Sequence, residues 1–423
     1  MKKFLKIFTV LVIAIIAVVY IRVANSKKTF ETCTIHNIED ISKTDFTKHK
    51  TVVVSASSLY ESDMFKTLLQ GKNYRDAWAT KVKLPIVFLD TLFGGVKIIK
   101  EGGGKQTHSL RIQSKKDNVV YTLRSINKNP EKLVPEFAKT LKLENIVIDG
   151  ISSQHPYAAP VVARLSDAIN VPHTNPRAIF LPKQETLEKY NEKYGNRMFL
   201  LEYETEGKVN WTSYKNVTEL VDTEELQKLK MNLKTKLKID RKSLVRARLF
   251  DLIIGDWDRH TKQWGWAVTQ KDSTYTAYPI PGDRDNAFFT TSGLIPSILT
   301  NENVVKELRP FQKDIDYMEG LIYNFDVYFL HKTPEEIFTA EATYIQQNLT
   351  DEAIENALRY WNDELYNLYA KDIAAKIKAR RDNILILAKE FKRVLDTKPL
   401  LSEPLKGSER EDVDENKLKC FEC

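Results

Sequence analysis

The segment that most restricts what this chain folds into is an apolar helix that breaks abruptly into charge. Leu249, Phe250, Leu252, Ile253 and Ile254 close the helical pattern Arg241–Ile254, and Gly255-Asp256-Trp257-Asp258-Arg259-His260-Thr261-Lys262-Gln263 follows directly. A helix this apolar is buried, so its end carries two Asp, an Arg and a His where charges need partners or a task. About twenty residues on comes Pro279-Ile280-Pro281-Gly282-Asp283-Arg284-Asp285-Asn286-Ala287-Phe288. Two carboxylates this close behind a short apolar strand suit a hard divalent cation such as Mg²⁺. The plainer alternative is a buried ion-pair network among Asp258, Arg259, Asp283 and Asp285.

The 423 residues exceed one ordinary core, which predicts two lobes. Apolar residues at 42% and charged residues at 29% exclude a disordered chain. Three cysteines (Cys33, Cys420 and Cys423) exclude a disulfide framework and a four-thiolate zinc site. The net charge of +7 comes from 64 basic and 57 acidic residues mixed along the chain, with no basic face that argues for nucleic acid. Lys2, Lys3 and Lys6 precede an apolar run, Ile7–Ile21, that Arg22 ends; Ala24 and Ser26 stand where a signal peptidase would read small residues. This predicts export, with residues 1–26 as a cleaved signal or an uncleaved membrane anchor. The rest of the chain is then periplasmic, or anchored in the inner membrane and facing outward.

Residues 27–84 show no strong period beyond a strand at Thr51–Ser55, and read as an N-terminal extension. Residues 85–205 read as strand, glycine loop, strand, Lys115–Asn118 turn, strand (Val119–Ile126), then a helix over Pro130–Leu141. A strand at Ile146–Ile148, a helix at Ala158–Ile169 and a strand at Phe199–Glu202 follow. Residues 206–397 are mainly helical, with helices at Glu224–Leu237 (capped by Thr223), Arg241–Ile254, Thr333–Asn348, Asp351–Ala370 and Ala374–Val394. Trp264–Ala287 is strand-like, and 398–423 reads as a solvated tail. The expected fold class is α+β, a small β-rich lobe before a larger helical one.

Taken together, Gly255–His260 and Pro279–Phe288 resemble the catalytic core of atypical kinases: the phosphoinositide kinases, the HipA-type kinases and the secretory-pathway kinases. They are most similar to a kinase-like region of bacterial envelope proteins, which Gly102–Leu110, Leu123–Lys128 and His155–Ala159 also fit. The resemblance spans roughly residues 75 to 395. It implies a bilobal protein-kinase-like fold using ATP with Mg²⁺ or Mn²⁺. Asp258 then takes the place of the catalytic Asp, and Gln263 that of a metal-binding Asn. Asp285, or Asp283, takes the place of the metal Asp, and His260 either contacts phosphate or braces its loop.

The loop Gly102-Gly103-Gly104-Lys105 lies between strands and so is no Walker A motif; it reads as a phosphate cover or a plain hairpin turn. Arg124 stands where related kinases carry a strand lysine, with Glu136 either as its partner or as a solvated helix-face carboxylate. Glu202 lies on the strand expected beside the adenine ring. His155 and His173 lack zinc-ligand spacing, and Cys420-x-x-Cys423 fits a local disulfide. The leading expectation is therefore an exported phosphotransferase that moves the ATP γ-phosphate to a hydroxyl acceptor on protein, lipid or glycan. A pseudokinase, a nucleotide- or ligand-binding envelope scaffold, stands beside it. A metal-dependent glycosyltransferase using Asp283 and Asp285 is a distant third, because it leaves Gly255–Gln263 without a role.

Overall fold

The computed structural model describes residues 33–405 and 419–422, except 62–63, 104–106, 130–133, 135, 141 and 143, plus positions 10, 14, 17, 18, 20 and 21 of the N-terminal segment. Three sheets organise the chain. β1 (Thr34–Ile35), β2 (Thr51–Ser55) and β3 (Val82–Pro85) form an antiparallel sheet in the extension. β4 (Val96–Gly102), β5 (Ser109–Ser114), β6 (Val120–Ser125), β7 (Arg177–Leu181) and β8 (Arg197–Tyr203) form a five-stranded antiparallel sheet in the order β4-β5-β6-β8-β7. Alternation along β5 turns Leu110 and Ile112 inward onto Leu123, Leu181 and Phe199, giving this sheet its own core. β9 (Val217–Asp222), β10 (Leu237–Ile239), β11 (Trp264–Lys271) and β12 (Thr274–Pro281) form the third sheet, in the order β10-β12-β11-β9. The helices of the second half pack beside it, so the α+β architecture of a β-rich and a helical lobe is as expected.

The helix Arg241–Ile254 has the expected bounds and is buried along most of its length. Asp240 caps its start, and Gly255 ends it in the left-handed region at φ 65°, its N–H returning to Asp251 and Leu252. A Cβ on Gly255 would lie 2.5 Å from the Phe311 ring, so glycine is required there twice over. Within this helix the Asp251 carboxylate accepts from Arg248 at 3.0 Å, Arg259 at 3.2 Å and Arg284 at 3.0 Å, all of them buried. Arg248 also pairs with Asp326 at 2.6 Å, in the helix Asn324–Leu330. Arg284 reaches Ser166 at 3.1 Å, in the helix Ala158–Ala168.

Several expectations are corrected. Ile146–Ile148 is not a strand but part of a helix, Glu144–Asp149; three apolar residues do not distinguish the two, and burial of Ile148 with pairing of Asp149 to Arg75 decides it. The helix expected to reach Leu237 stops at Leu233, and Leu237 begins β10. Its cap is Asp222, not Thr223, whose hydroxyl instead accepts from Trp266 Nε1 at 3.0 Å. Asp351–Ala370 breaks after Leu358, and Ala374–Val394 divides at Asn383 into Lys371–Asp382 and Ile384–Thr397. The end of the chain is not uniformly solvated: Leu401, Leu405, Cys420 and Phe421 are buried. Cys420 is disulfide-bonded, while Cys33 is free and buried. Much of Pro130–Leu141 and nearly all of the N-terminal apolar run lie outside the described residues. Among those described, no helix is long and apolar enough to cross a membrane.

Removing one partner of a buried ionic cluster leaves uncompensated charge and costs about 3–5 kcal/mol. Asp251→Ala, which takes the carboxylate from Arg259 and Arg284 and leaves Arg248 to Asp326, is expected to lower the unfolding free energy by that amount in urea titration. A loss under about 1 kcal/mol would show that the arginines re-solvate freely.

Candidate active site

The end of the helix Arg241–Ile254 and the end of β12 arrive at the same place because one ionic cluster holds both. Arg259 donates to Asp251 and to the Gly282 carbonyl at 2.9 Å, tying the loop after the helix to the loop after the strand. That contact brings together the two acidic segments. The Asn286 amide donates to Asp258 Oδ2 at 3.3 Å and to Asp285 Oδ1 at 3.3 Å. Asp258 and Asp285 therefore face one side chain from opposite segments.

The carboxylates differ in their partners. Asp285 accepts from Lys128 Nζ at 2.7 Å, and Asp283 accepts from Arg124 Nη1 at 2.9 Å. Among the described residues no lysine or arginine ion-pairs with Asp258; its nearest cationic group is His260 Nε2 at 3.7 Å, and its side chain is 27% exposed. Burial raises the Asp258 carboxyl above its usual range; His260 opposes this and Asp285 adds to it. Burial also pushes Asp283 up to about 7, against Arg124 and reinforced by Asp285. For Asp285 burial acts upward too, but Lys128 and Arg124 hold the group below the usual carboxylate range. The ion-pair alternative is thus half realised: Arg259 belongs to a structural cluster on Asp251, and Asp258 stands apart from it.

A cleft of about 240 Å³ opens between the lobes beside Asp283. Gly102 and Gly103 line it on the sheet side with Arg124 and Glu202, and Lys262, Gln263 and Gly282 line it on the other. Gly104 and Lys105 lie outside the described residues. Arg124 does not pair with Glu136, which is solvent-exposed and holds Lys139 at 2.8 Å. Its partner is Glu202, at 2.9 Å, whose other oxygen accepts from Thr174 at 2.6 Å. Glu202 sits directly across from the β6 strand that carries Arg124, so strand pairing achieves what a helix carboxylate was expected to supply. Gln263 lies at the cleft wall, and the amide between Asp258 and Asp285 is that of Asn286. His260 braces its loop, its ring nitrogen accepting from the Lys262 N–H at 3.2 Å.

Sequence reasoning missed Lys128, Gln154, Asp251 and Asp256. Asp256 is buried, its Oδ1 accepting from the Asp258 N–H at 3.2 Å, and burial raises its carboxyl well above the usual range. Two of these carried a local signal: Asp256 as one of the two Asp behind the buried helix, and Lys128 as a cation shortly after Arg124.

A carboxyl whose folded pKa is raised holds its proton more tightly in the folded state. Asp283 therefore favours folding at low pH, and that contribution is lost as pH rises from its ordinary 3.8 through about 7. In metal-free buffer the melting temperature is expected to decline across this window, and Asp283→Asn should flatten the decline. Equal slopes in both proteins would assign the titration elsewhere.

No protein-family model matches the chain, and no curated protein matches it. Among solved structures it is similar to the Helicobacter pylori proinflammatory kinase CtkA, at 13% identity and a TM-score of 0.38, over 70% of this chain and 95% of that one. It is also similar to a Shewanella oneidensis toxin–antitoxin structure of HipA with HipB and operator DNA. That match has 11% identity and a TM-score of 0.35, over 70% of this chain and 67% of that one.

Proposed function

We propose that this chain is an exported, ATP-dependent phosphotransferase acting on a hydroxyl acceptor. The observation that carries the reading is the meeting of Asp258 and Asp285 on one amide, beside an interlobe cleft that Arg124 and Gly102–Gly103 line. Asp258 is the acidic group of that meeting with no lysine or arginine ion pair among the described residues, and its raised affinity for protons suits a group that takes one from a hydroxyl. In the transfer, the acceptor oxygen forms a bond to the γ-phosphorus and the bond from phosphorus to the departing ADP oxygen breaks. The hydroxyl proton passes to Asp258. Arg124, oriented by Glu202, offers a planar fork to phosphate oxygens.

The residues present fit a divalent cation. Asp283 Oδ1 is buried without a hydrogen-bond partner among the described residues, and Asp285 supplies further hard oxygen donors beside it. Among the described residues no cluster of three or more His, Cys, Asp or Glu side chains forms a ready metal site. Two carboxylates completed by phosphate oxygens and water are what Mg²⁺ ordinarily takes. Bound there, Mg²⁺ or Mn²⁺ would neutralise charge on the phosphates.

A second reading, a nucleotide-binding scaffold of the envelope, draws on a different observation. Arg124 and Lys128 already occupy Asp283 and Asp285, so a cation has to displace two ion pairs. The reading also suits a compartment poor in ATP. Export itself rests on Lys2, Lys3 and Lys6 before the Ile7–Ile21 run.

Incubation with γ-labelled ATP and Mn²⁺ separates the two. In a phosphotransferase, Asp258→Ala should lower transfer by about 10²–10⁴-fold while leaving nucleotide affinity nearly unchanged. Asp285→Ala should weaken metal-dependent nucleotide binding itself. Nucleotide binding that depends on Asp285, with no transfer by the unmodified protein, selects the scaffold.

A further inference from the structure

The Asn286 carboxamide serves two carboxylates only because a third residue decides which way it points. Gln154 Nε2 donates to Asn286 Oδ1 at 2.8 Å, and both residues are buried. With its oxygen engaged, Asn286 turns both N–H groups toward Asp258 and Asp285. Reversing the amide would set its NH₂ against that of Gln154 and its oxygen against two carboxylates. Gln154 gains little else from this position, because its Oε1 is buried without a hydrogen-bond partner among the described residues. A buried amide with one end unsatisfied carries a cost, which its remaining contact must offset.

Gln154 is itself fixed from outside the two lobes. Its carbonyl accepts from Trp78 Nε1 at 2.9 Å, and Trp78 is a fully buried residue of the N-terminal extension. The same extension grips the chain just beyond Asn286: the Tyr74 hydroxyl donates to the Phe288 carbonyl at 2.5 Å, and Asn73 Oδ1 accepts from the Ser292 N–H at 3.1 Å. Thr290 N–H donates to the Ser153 carbonyl at 3.0 Å, closing the link between the two segments.

We infer that Gln154 is a positioning residue of the catalytic centre, orienting Asn286 so that one amide aligns the acceptor carboxylate Asp258 with the metal carboxylate Asp285, and that the extension holds it there through Trp78. This rests on the phosphotransferase reading. Gln154 touches neither acceptor nor phosphate; it acts through Asn286.

Three variants of the full chain test it: Gln154→Leu, Gln154→Glu and Asp258→Asn. Gln154→Leu deletes the donor, and kcat is expected to fall about 10–100-fold with KM for ATP within about threefold, as for loss of transition-state alignment. Gln154→Glu places a carboxylate against the Asn286 oxygen at neutral pH and reverses the amide. Once protonated, at a pKa that burial raises, the same side chain donates again. Its activity relative to the unmodified protein should therefore climb as pH is lowered, while that of Gln154→Leu stays flat. A purely structural role predicts parallel profiles. Independently of activity, the Asn286 side-chain NH₂ signals, identified by their loss in Asn286→Asp, should exchange with solvent at least about tenfold faster in Gln154→Leu. Unchanged exchange, or unchanged kcat in Gln154→Leu while Asp258→Asn abolishes transfer, overturns the inference and leaves the phosphotransferase reading intact. Transfer that survives Asp258→Asn overturns the reading and the inference with it.

Discussion

One carboxylate with three arginines sets the geometry of this protein. Asp251 is buried in the last turn of its helix, and each arginine it holds comes from a different place: Arg248 from the same helix, Arg259 from the loop after it, Arg284 from the loop after β12. A buried carboxylate facing several guanidiniums stays ionised, and its pKa is indeed lowered, Arg259 and Arg284 outweighing the burial that acts the other way. Three planar forks converging on two oxygens fix directions as well as distances. The loop Asp256–Gln263 and the loop Gly282–Asn286 therefore have one relative placement. The acidic residues at the cleft inherit their positions from charges that never face it.

This division explains why charges so close in sequence do different things. Arg259 stands next to Asp258 in the chain but turns inward to Asp251, Gly282 and Asp256, and Arg284 does the same between Asp283 and Asp285. Arginine is always charged and presents five donors, so each of these two can satisfy buried acceptors on several elements at once. With the arginines committed inward, the aspartates take other partners: Asp283 lines the cleft, and Asp258 and Asp285 meet on the Asn286 amide. Lysine and arginine from the sheet lobe meet two of them, and Asp258 is left with an amide and a histidine.

The two acidic segments and the bounds of Arg241–Ile254 were legible because each follows from a local rule: apolar periodicity, a glycine stop, and charges placed behind a buried element. Arg124 was legible as a cleft cation through the likeness of its strand to one that carries a lysine in related kinases. Its partner was not, because Glu202 lies 78 residues away and meets it only through β6–β8 pairing. Asp251 was hidden for a similar reason. Within a helix it reads as one polar position on an apolar face, and nothing local says that Arg284 will reach it. Gln154 has no signal at all, since its neighbours in the hydrogen-bond chain are Trp78 and Asn286. The misplaced helix ends share a cause as well, since Leu237 keeps helical spacing with Leu233 but is claimed by β12. Periodicity names faces; long-range pairing decides where elements stop.

Arginine at position 124, where the resemblance expects lysine, has a geometric reason. Its guanidinium donates through Nε to Glu202 in its own sheet and through Nη1 to Asp283 across the cleft, both at 2.9 Å. A single ammonium has no rigid fork with which to span two carboxylates fixed on different lobes. The point charge that lysine would have supplied is present four residues on, as Lys128 on Asp285. The cationic work is thereby divided, with Arg124 joining the lobes and Lys128 compensating the carboxylate that shares the Asn286 amide with Asp258. On the proposed phosphotransferase reading, a phosphate entering the cleft would compete with Asp283 for Arg124, which lines it, and a cation would take up the carboxylate so released; nucleotide and metal binding would then reinforce each other.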